Sequence, residues 1–348
     1  MRIKVQEKRE WQFDLLRIIA ISAVILVHCS GVVKLDPDAY VQRNVLTFLT
    51  AVITWEVPVF VMISGRFFLD PERQVSGKKI RNAIKRLVIA FVVWDIVYQL
   101  YYCLAGVYSD LNWKGIICQT LIGPYHFWFL YMLICLYAIV PFLRKITAEK
   151  QLMEYFIFLF FVFELLIGYG PAMPYLGETL DSILGSMDFH FALGFAGYYV
   201  LGYYLCRYRP SARVETGLYI CGILCLIFAG LATVRISGQA GIDSEWYIKY
   251  LRPNIIIEAA AIYTFFVHRV GSCRLSGSAI RIIGKLSEYS FGVYLVHALI
   301  NEFVSRIRIP VLDTTILGVP AALTVIFLVS NILVAGIRRV PYVGKKIT

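Results

Sequence analysis

Arg17 and His28 lie eleven residues apart in an otherwise apolar stretch. Eleven steps of about 100° return a helix to within about 20° of its starting direction, and a rise of about 1.5 Å per residue separates the two side chains by roughly 16 Å along the axis. A guanidinium at one end of such a stripe can hold a phosphate. An imidazole deeper in can act as a general base on a hydroxyl, or work on a thioester, near neutral pH. The separation is close to the reach of a pantetheine arm. Asp14 stands one turn before Arg17 and would orient that cation or the helix itself. The plainer reading is that Arg17 snorkels to headgroups while His28 hydrogen-bonds to a neighbouring helix.

Further polar residues interrupt apolar surroundings: Glu56, Asp95, His126, Glu164, Glu258, His268 and His297. Each costs a few kcal/mol in a spanning helix, so each marks a pore, a site or an internal pair. The run Lys78-Lys79-Ile80-Arg81-Asn82-Ala83-Ile84-Lys85-Arg86 carries five cations. Lys78, Arg81 and Lys85 share a helical face suited to a multiply phosphorylated ligand or to anionic lipid. Pro58 follows Glu56 and interrupts the hydrogen-bond ladder, while Ser64 and Gly65 suit either close helix packing or a site. Aromatic belts explain Tyr125 and Trp128 but not the intervening His126. Ser290, Tyr294 and His297 fall at i, i+4 and i+7, a polar stripe expected to line a cavity.

The elements that carry these residues are spanning helices. The 348 residues are 59% hydrophobic and 16% charged, with a mean hydropathy of +0.69, whereas soluble domains carry about 25% charged residues. Ten apolar stretches are expected to span, at 13–33, 45–68, 87–107, 118–142, 153–170, 189–206, 216–236, 252–270, 286–305 and 312–337. They are too long and too uniformly apolar for barrel strands. The expected fold is therefore an all-α polytopic membrane protein in one domain, 1–348, of about ten transmembrane helices. Most of the 34 Lys and Arg fall in loops on the N-terminal side of these spans. The opposite side holds only Lys34, Arg43, Lys114, Arg235, Lys249, Arg252, Arg306 and Arg308, which predicts that both termini are cytoplasmic. Topology thus accounts for the net charge of +11, and membrane lipid rather than nucleic acid is the expected partner of these cations. Arg17 and Asp14 also argue against reading the first stretch as a cleaved signal. The eight cysteines lack metal-ligand spacing and read as small core residues, and no metal is expected.

Taken in order, these motifs resemble the membrane-bound acyltransferase family 3, ten-span enzymes that O-acylate sugars of surface glycans. The resemblance covers essentially the whole chain. It rests on Phe13-Asp14-Leu15-Leu16-Arg17 with His28, on Val57-Pro58-Val59-Phe60 running into Ser64-Gly65, and on the basic start of the third span. His126-Phe127-Trp128-Phe129-Leu130 with Tyr137 and Pro141, Gly202-Tyr203-Tyr204, and Ser290 through His297 complete it. Two departures are visible: no acid follows Trp128 in its span, and the family's Arg-x-x-Arg is represented by Lys78-x-x-Arg81. Both are similar to the branch containing the enterobacterial-antigen O-acetyltransferase and the membrane domain of serine racemases.

The resemblance implies an acyl-CoA donor, usually acetyl-CoA, used as a substrate rather than as a permanently bound cofactor. It also implies an acceptor hydroxyl on a cell-envelope glycan or lipid-linked sugar, in a bacterial cytoplasmic membrane. His28 would be the general base, with Asp14 and Arg17 orienting the donor and His297 supporting the chemistry. Arg17, Lys78, Arg81, Lys85 and Arg86 would hold CoA phosphates. Glu56, Ser64, His126, Trp128 and Tyr294 would line the acceptor path. The competing reading is a transporter or flippase for an amino acid or sugar-lipid, in which the same buried groups carry protons or substrate.

Overall fold

The computed structural model describes residues 9–30, 40–107, 113–173, 175–187, 194–237, 245–307 and 318–348, and among these all regular structure is helical. The helices are α1 (Trp11–Ser30), α2 (Tyr40–Ala51), α3 (Glu56–Phe68), α4 (Gly77–Leu104), α5 (Trp113–Ile122), α6 (Trp128–Ile146) and α7 (Lys150–Tyr169). They continue with α8 (Gly177–Met187), α9 (Gly194–Arg207), α10 (Ala212–Ile236), α11 (Pro253–His268), α12 (Gly277–Ile307) and α13 (Gly318–Ile337). Eight helical stretches are long and apolar enough to cross a membrane, so the chain is a polytopic membrane protein. Two expected spans are not among these eight. The described part of 189–206 is the fourteen-residue α9, and 286–305 lies within the 31-residue α12, which carries more charge. Residues 31–33, 189–193 and 312–317 of the expected spans lie outside the described residues.

Three spans start or run differently from the apolar pattern, each for a local reason. The stretch 45–68 is two helices, broken at 52–55. Pro58 has no amide to give to the Thr54 carbonyl, and its ring crowds that carbonyl, so the helix restarts at Glu56. The stretch 118–142 breaks at Gly123, whose φ of 74° lies in the left-handed region, and Pro124 follows. His126 therefore sits in a short 3-10 turn, Tyr125–Phe127, at the mouth of α6 rather than within a helix. The third is α4, which begins ten residues before the expected span because the Ser76 hydroxyl accepts from the Lys79 amide and caps it, making the basic run its first turns.

α1 is central, packing on α3, α11, α12 and α13. Its partner α12 runs parallel to it: Ser287 donates to Asp14 at one end and Asn301 donates to the His28 carbonyl at the other, with the same sequence offset of 273 in both bonds. Parallel α-helices rise equally per residue, so the polar stripe on α12 stays in register with Asp14, Arg17 and His28 along the whole depth. α3 and α9 cross at closest range, because Gly65 lies on the Tyr199 backbone and Gly202 on the Met62 backbone, with no room at either for a Cβ. Most of the cysteines are not core residues: Cys29 is buried in the core and Cys206 packs against it, while Cys103, Cys118, Cys135, Cys221 and Cys273 are exposed on the outer surface. A thiol is apolar enough to sit there.

Candidate functional site

Asp14 is the anchor of the end where α1 begins, here termed the near face. Its carboxylate takes Arg9 Nε at 2.6 Å, Arg17 Nη1 at 3.3 Å and the Ser287 hydroxyl at 2.7 Å. Arg9 also donates to the Gly284 carbonyl at 2.7 Å, which ties the chain before α1 to α12. Arg17 lies over the Phe67 ring at 5.0 Å and reaches into a cavity of about 460 Å³. Ser64, Tyr137, Arg86, Phe291 and Arg338 also line it. Arg86 and Arg338 both donate to the Thr348 carbonyl, at 2.9 and 3.3 Å, which holds two further guanidinium groups at the cavity wall. Lys78, Arg81 and Lys85 lie on a neighbouring face of α4, exposed and outside this wall; of the expected basic set, Arg17 and Arg86 enter it.

Deeper in, Phe60, Phe129 and Tyr294 separate this cavity from a chamber of only about 40 Å³ that they line on both sides. The chamber is bounded by His28, His126, Glu56, Trp128 and Tyr250. That volume holds no more than a few water molecules, so only small reacting groups fit. Two imidazoles, His28 and His126, line it and a third is close by: His28 lies 5.3 Å from His297 and His126 lies 5.2 Å from His297, centroid to centroid. His297 is fully buried and stands behind His28 without lining a cavity. Its Nδ1 faces the Tyr294 carbonyl at 2.7 Å, so that nitrogen carries the proton, and Nε2 has no hydrogen-bond partner. The Tyr294 hydroxyl donates to the His126 carbonyl and pins the 3-10 turn to α12. Among the described residues no group of three His, Cys, Asp or Glu is arranged to hold a metal ion.

Beyond the chamber, Trp128 and Tyr250 form a second partition and also line a third cavity of about 740 Å³ at the opposite, far face. Their rings stack at 5.5 Å, and the Tyr250 hydroxyl donates to Glu56 Oε1 at 3.1 Å. Glu56 is 1% exposed and its Oε2 has no partner. Three cavities thus stand in file through the bundle, with His28 and Glu56 at the narrowest.

The structure brings the expected residues Asp14, Arg17, Glu56, Ser64, Arg86, His126, Trp128, Tyr294, His28 and His297 to this file of cavities. The polar stripe of α12 proves longer than the sequence suggested. Ser287, Ser290, Tyr294, His297 and Asn301 are all buried, and besides lining two cavities it fastens α12 to α1 and to the turn at His126. Sequence reasoning missed Arg338, which counted only as topological charge, and Tyr250, which it did not single out. It assigned Arg252 to loop charge as well. None carries a local signal, because each joins the site through tertiary packing. A family model described as an acyltransferase domain matches residues 10–335 of the chain. No curated protein and no solved structure matches.

Proposed function

The chain belongs to the acyltransferase 3 family and is a multi-pass membrane acyltransferase, and on that premise we propose that it moves an acetyl or similar short acyl group from acyl-CoA to a sugar hydroxyl of a cell-envelope or lipid-linked glycan. The observation that carries this reading is the file of three cavities with His28 at the constriction. The near cavity, with Arg17, Arg86 and Arg338 at its wall, suits a phosphate-bearing donor, and the exposed Lys78, Arg81 and Lys85 add attraction at its rim. Its volume lies within the range of ordinary ligand pockets. The pantetheine arm would lie between Phe60, Phe129 and Tyr294 and deliver the thioester to the chamber. The near face is then cytoplasmic, as the loop charges imply, in the plasma membrane of a bacterium.

In the transfer, His28 takes the proton of the acceptor hydroxyl as its oxygen attacks the thioester carbonyl carbon. The tetrahedral intermediate collapses, the carbon–sulfur bond breaks, and the departing sulfur receives the proton from His28. No acyl-enzyme is needed. Asp14 steadies Arg17, and His297 packs behind the His28 ring. The test is CoA release and acyl-CoA binding by purified protein in nanodiscs. His28→Ala is expected to cut turnover about 10²–10⁴-fold with donor binding kept, and Arg17→Ala to weaken donor binding. A folded native protein that neither binds nor turns over any acyl-CoA would overturn the reading.

A further inference from the structure

Past α13 the chain turns back on the bundle. Tyr342 takes a φ of 63°, in the left-handed region, and a single helical turn, Gly344–Ile347, then packs on α4. A different helix seats this segment at each of three points. Gly344 lies against the Ile337 carbonyl at the end of α13, with no room for a Cβ. Trp94 Nε1 on α4 donates to the Ile347 carbonyl at 2.7 Å. Thr348 is fully buried and rests on Gly292 of α12, where a Cβ would crowd it. Its hydroxyl donates to the Gly344 carbonyl at 2.7 Å and closes the turn.

The turn is held at the wall of the near cavity. The Thr348 carbonyl oxygen accepts from Arg86 Nη2 and Arg338 Nη1 together, so one acceptor joins a guanidinium of α4 to one that follows α13. Arg86 lies over the Phe291 ring at 5.0 Å and Arg338 over the Tyr289 ring at 5.4 Å, and Arg338 Nη1 also donates to the Glu288 carbonyl at 3.1 Å. Two like charges held this close repel each other, and the shared oxygen offsets that repulsion. Among the described residues neither guanidinium pairs with an Asp or Glu side chain; the Glu288 carboxylate in the same wall faces Arg9, at 3.4 Å. A guanidinium carries five N–H donors. Arg86 spends only Nη2 on the protein and Arg338 only Nη1, which leaves the other donors for a ligand in the cavity. Arg338 and the segment after it lie beyond residues 10–335, the stretch that matches the family.

We propose that residues 340–348 form a positioning strap for the donor site: by fixing Thr348, the strap holds Arg86 and Arg338 as a pair that takes the phosphates of acyl-CoA. The inference rests on the acyltransferase reading for the identity of the donor and adds the residues that set its phosphate contacts. Trp94, Gly292 and Gly344 act through the two arginines and touch no part of the ligand. Their effect therefore depends on the phosphates and not on the pantetheine arm or the thioester.

The experiment compares acetyl-CoA with S-acetylpantetheine, which has the same thioester and arm but no phosphate. Binding of each to the full chain in nanodiscs is followed by calorimetry, and CoA release by steady-state kinetics. Trp94→Phe, which loses the donor to the Ile347 carbonyl, is expected to weaken acetyl-CoA binding about threefold or more, the worth of one hydrogen bond. Gly344→Val, which displaces the turn, should weaken it further. In both variants S-acetylpantetheine binding and kcat should stay as in the native protein, which also reports that they are folded. On an Arg86→Gln/Arg338→Gln background, Trp94→Phe should cost acetyl-CoA nothing more. Equal losses for the two donors in Trp94→Phe, or a full additional loss on the double-Gln background, would make the segment merely structural and overturn the proposal. Tighter acetyl-CoA binding in either variant would make the strap a competitor for the arginines and overturn it as well. Unchanged acetyl-CoA binding in both variants overturns the strap and leaves the acyltransferase reading standing, whereas native protein that binds neither donor overturns both.

Discussion

A guanidinium can hold phosphate only if its own orientation is fixed at lower cost than the ligand repays, and Asp14 does this for Arg17. Asp14 is 6% exposed and spends its carboxylate oxygens on Arg9, Arg17 and Ser287, so it neutralises the near end of α1 while aiming Arg17 at the cavity. Replacing it by Asn keeps the shape and removes the charge. Asp14→Asn is expected to raise the KM for the acyl donor about tenfold, equivalent to about 1.4 kcal/mol, with kcat falling less, because the chemistry proposed at His28 lies roughly 21 Å further along α1. Steady-state CoA release measured against donor concentration separates the two constants, and an unchanged KM would remove Asp14 from donor positioning. At this scale the sequence was informative: the spacing of Arg17 and His28 on one helix carries through to the structure. His297 was legible as a buried polar residue but not as the neighbour of His28, since that contact depends on how α1 and α12 pair.

Among elements, the crossing of α3 and α9 decides whether Phe60 and Ser64 face the near cavity. Gly202 meets the Met62 backbone, and backbone cannot give way as a flexible side chain can. Gly202→Ala is expected to destabilise the fold by about 1–3 kcal/mol, the usual cost of overpacking, read as a lower Tm in nanodiscs; an unchanged Tm would show that the helices are free to move apart. The turn after α3 is held by charge instead. Arg144 donates to the carbonyls of Phe68, Asp70 and Arg73, while Arg66 and Arg73 pair with Asp70. Burial opposes ionisation of Asp70, but hydrogen bonds from Arg66 and the Glu72 amide, with the nearby cationic charges, outweigh it and hold the carboxyl below its usual range. A depressed folded value means that this stabilisation is present above the unfolded value of about 3.9 and is lost as pH falls through the lower folded one. The Tm gap between native protein and Asp70→Asn should therefore be full at neutral pH and close below about pH 4; a gap independent of pH would assign the loop's stability elsewhere. Apolar length revealed where helices run, but not the breaks before Glu56 and at Gly123-Pro124. Those breaks follow from backbone chemistry that a hydropathy window averages away, and they are what place Glu56 and His126 at the chamber.

For the whole molecule, three cavities in file imply a direction. The near cavity has the guanidinium groups of Arg17, Arg86 and Arg338 in its wall, the far one is lined by Trp128, Tyr250 and Phe195, and the chamber between them measures only about 40 Å³. On the proposed reading, donor and acceptor enter from opposite faces, and acyl-CoA, too polar to cross lipid, is confined to the side on which it is supplied. On the same reading, the surplus of cations in loops on the near face puts that side in the cytoplasm. In sealed proteoliposomes whose orientation is read from protease access to a tag on the near face, CoA release should occur only when acetyl-CoA is added to the compartment facing Lys78 and Lys85. Acceptor glycan should stimulate it only from the compartment facing Lys249. Breaking the seal with detergent should abolish the asymmetry for both. Equal turnover with donor on either side of intact vesicles would mean that the cavities do not form the path taken by the acyl group, and that donor and acceptor share a single mouth.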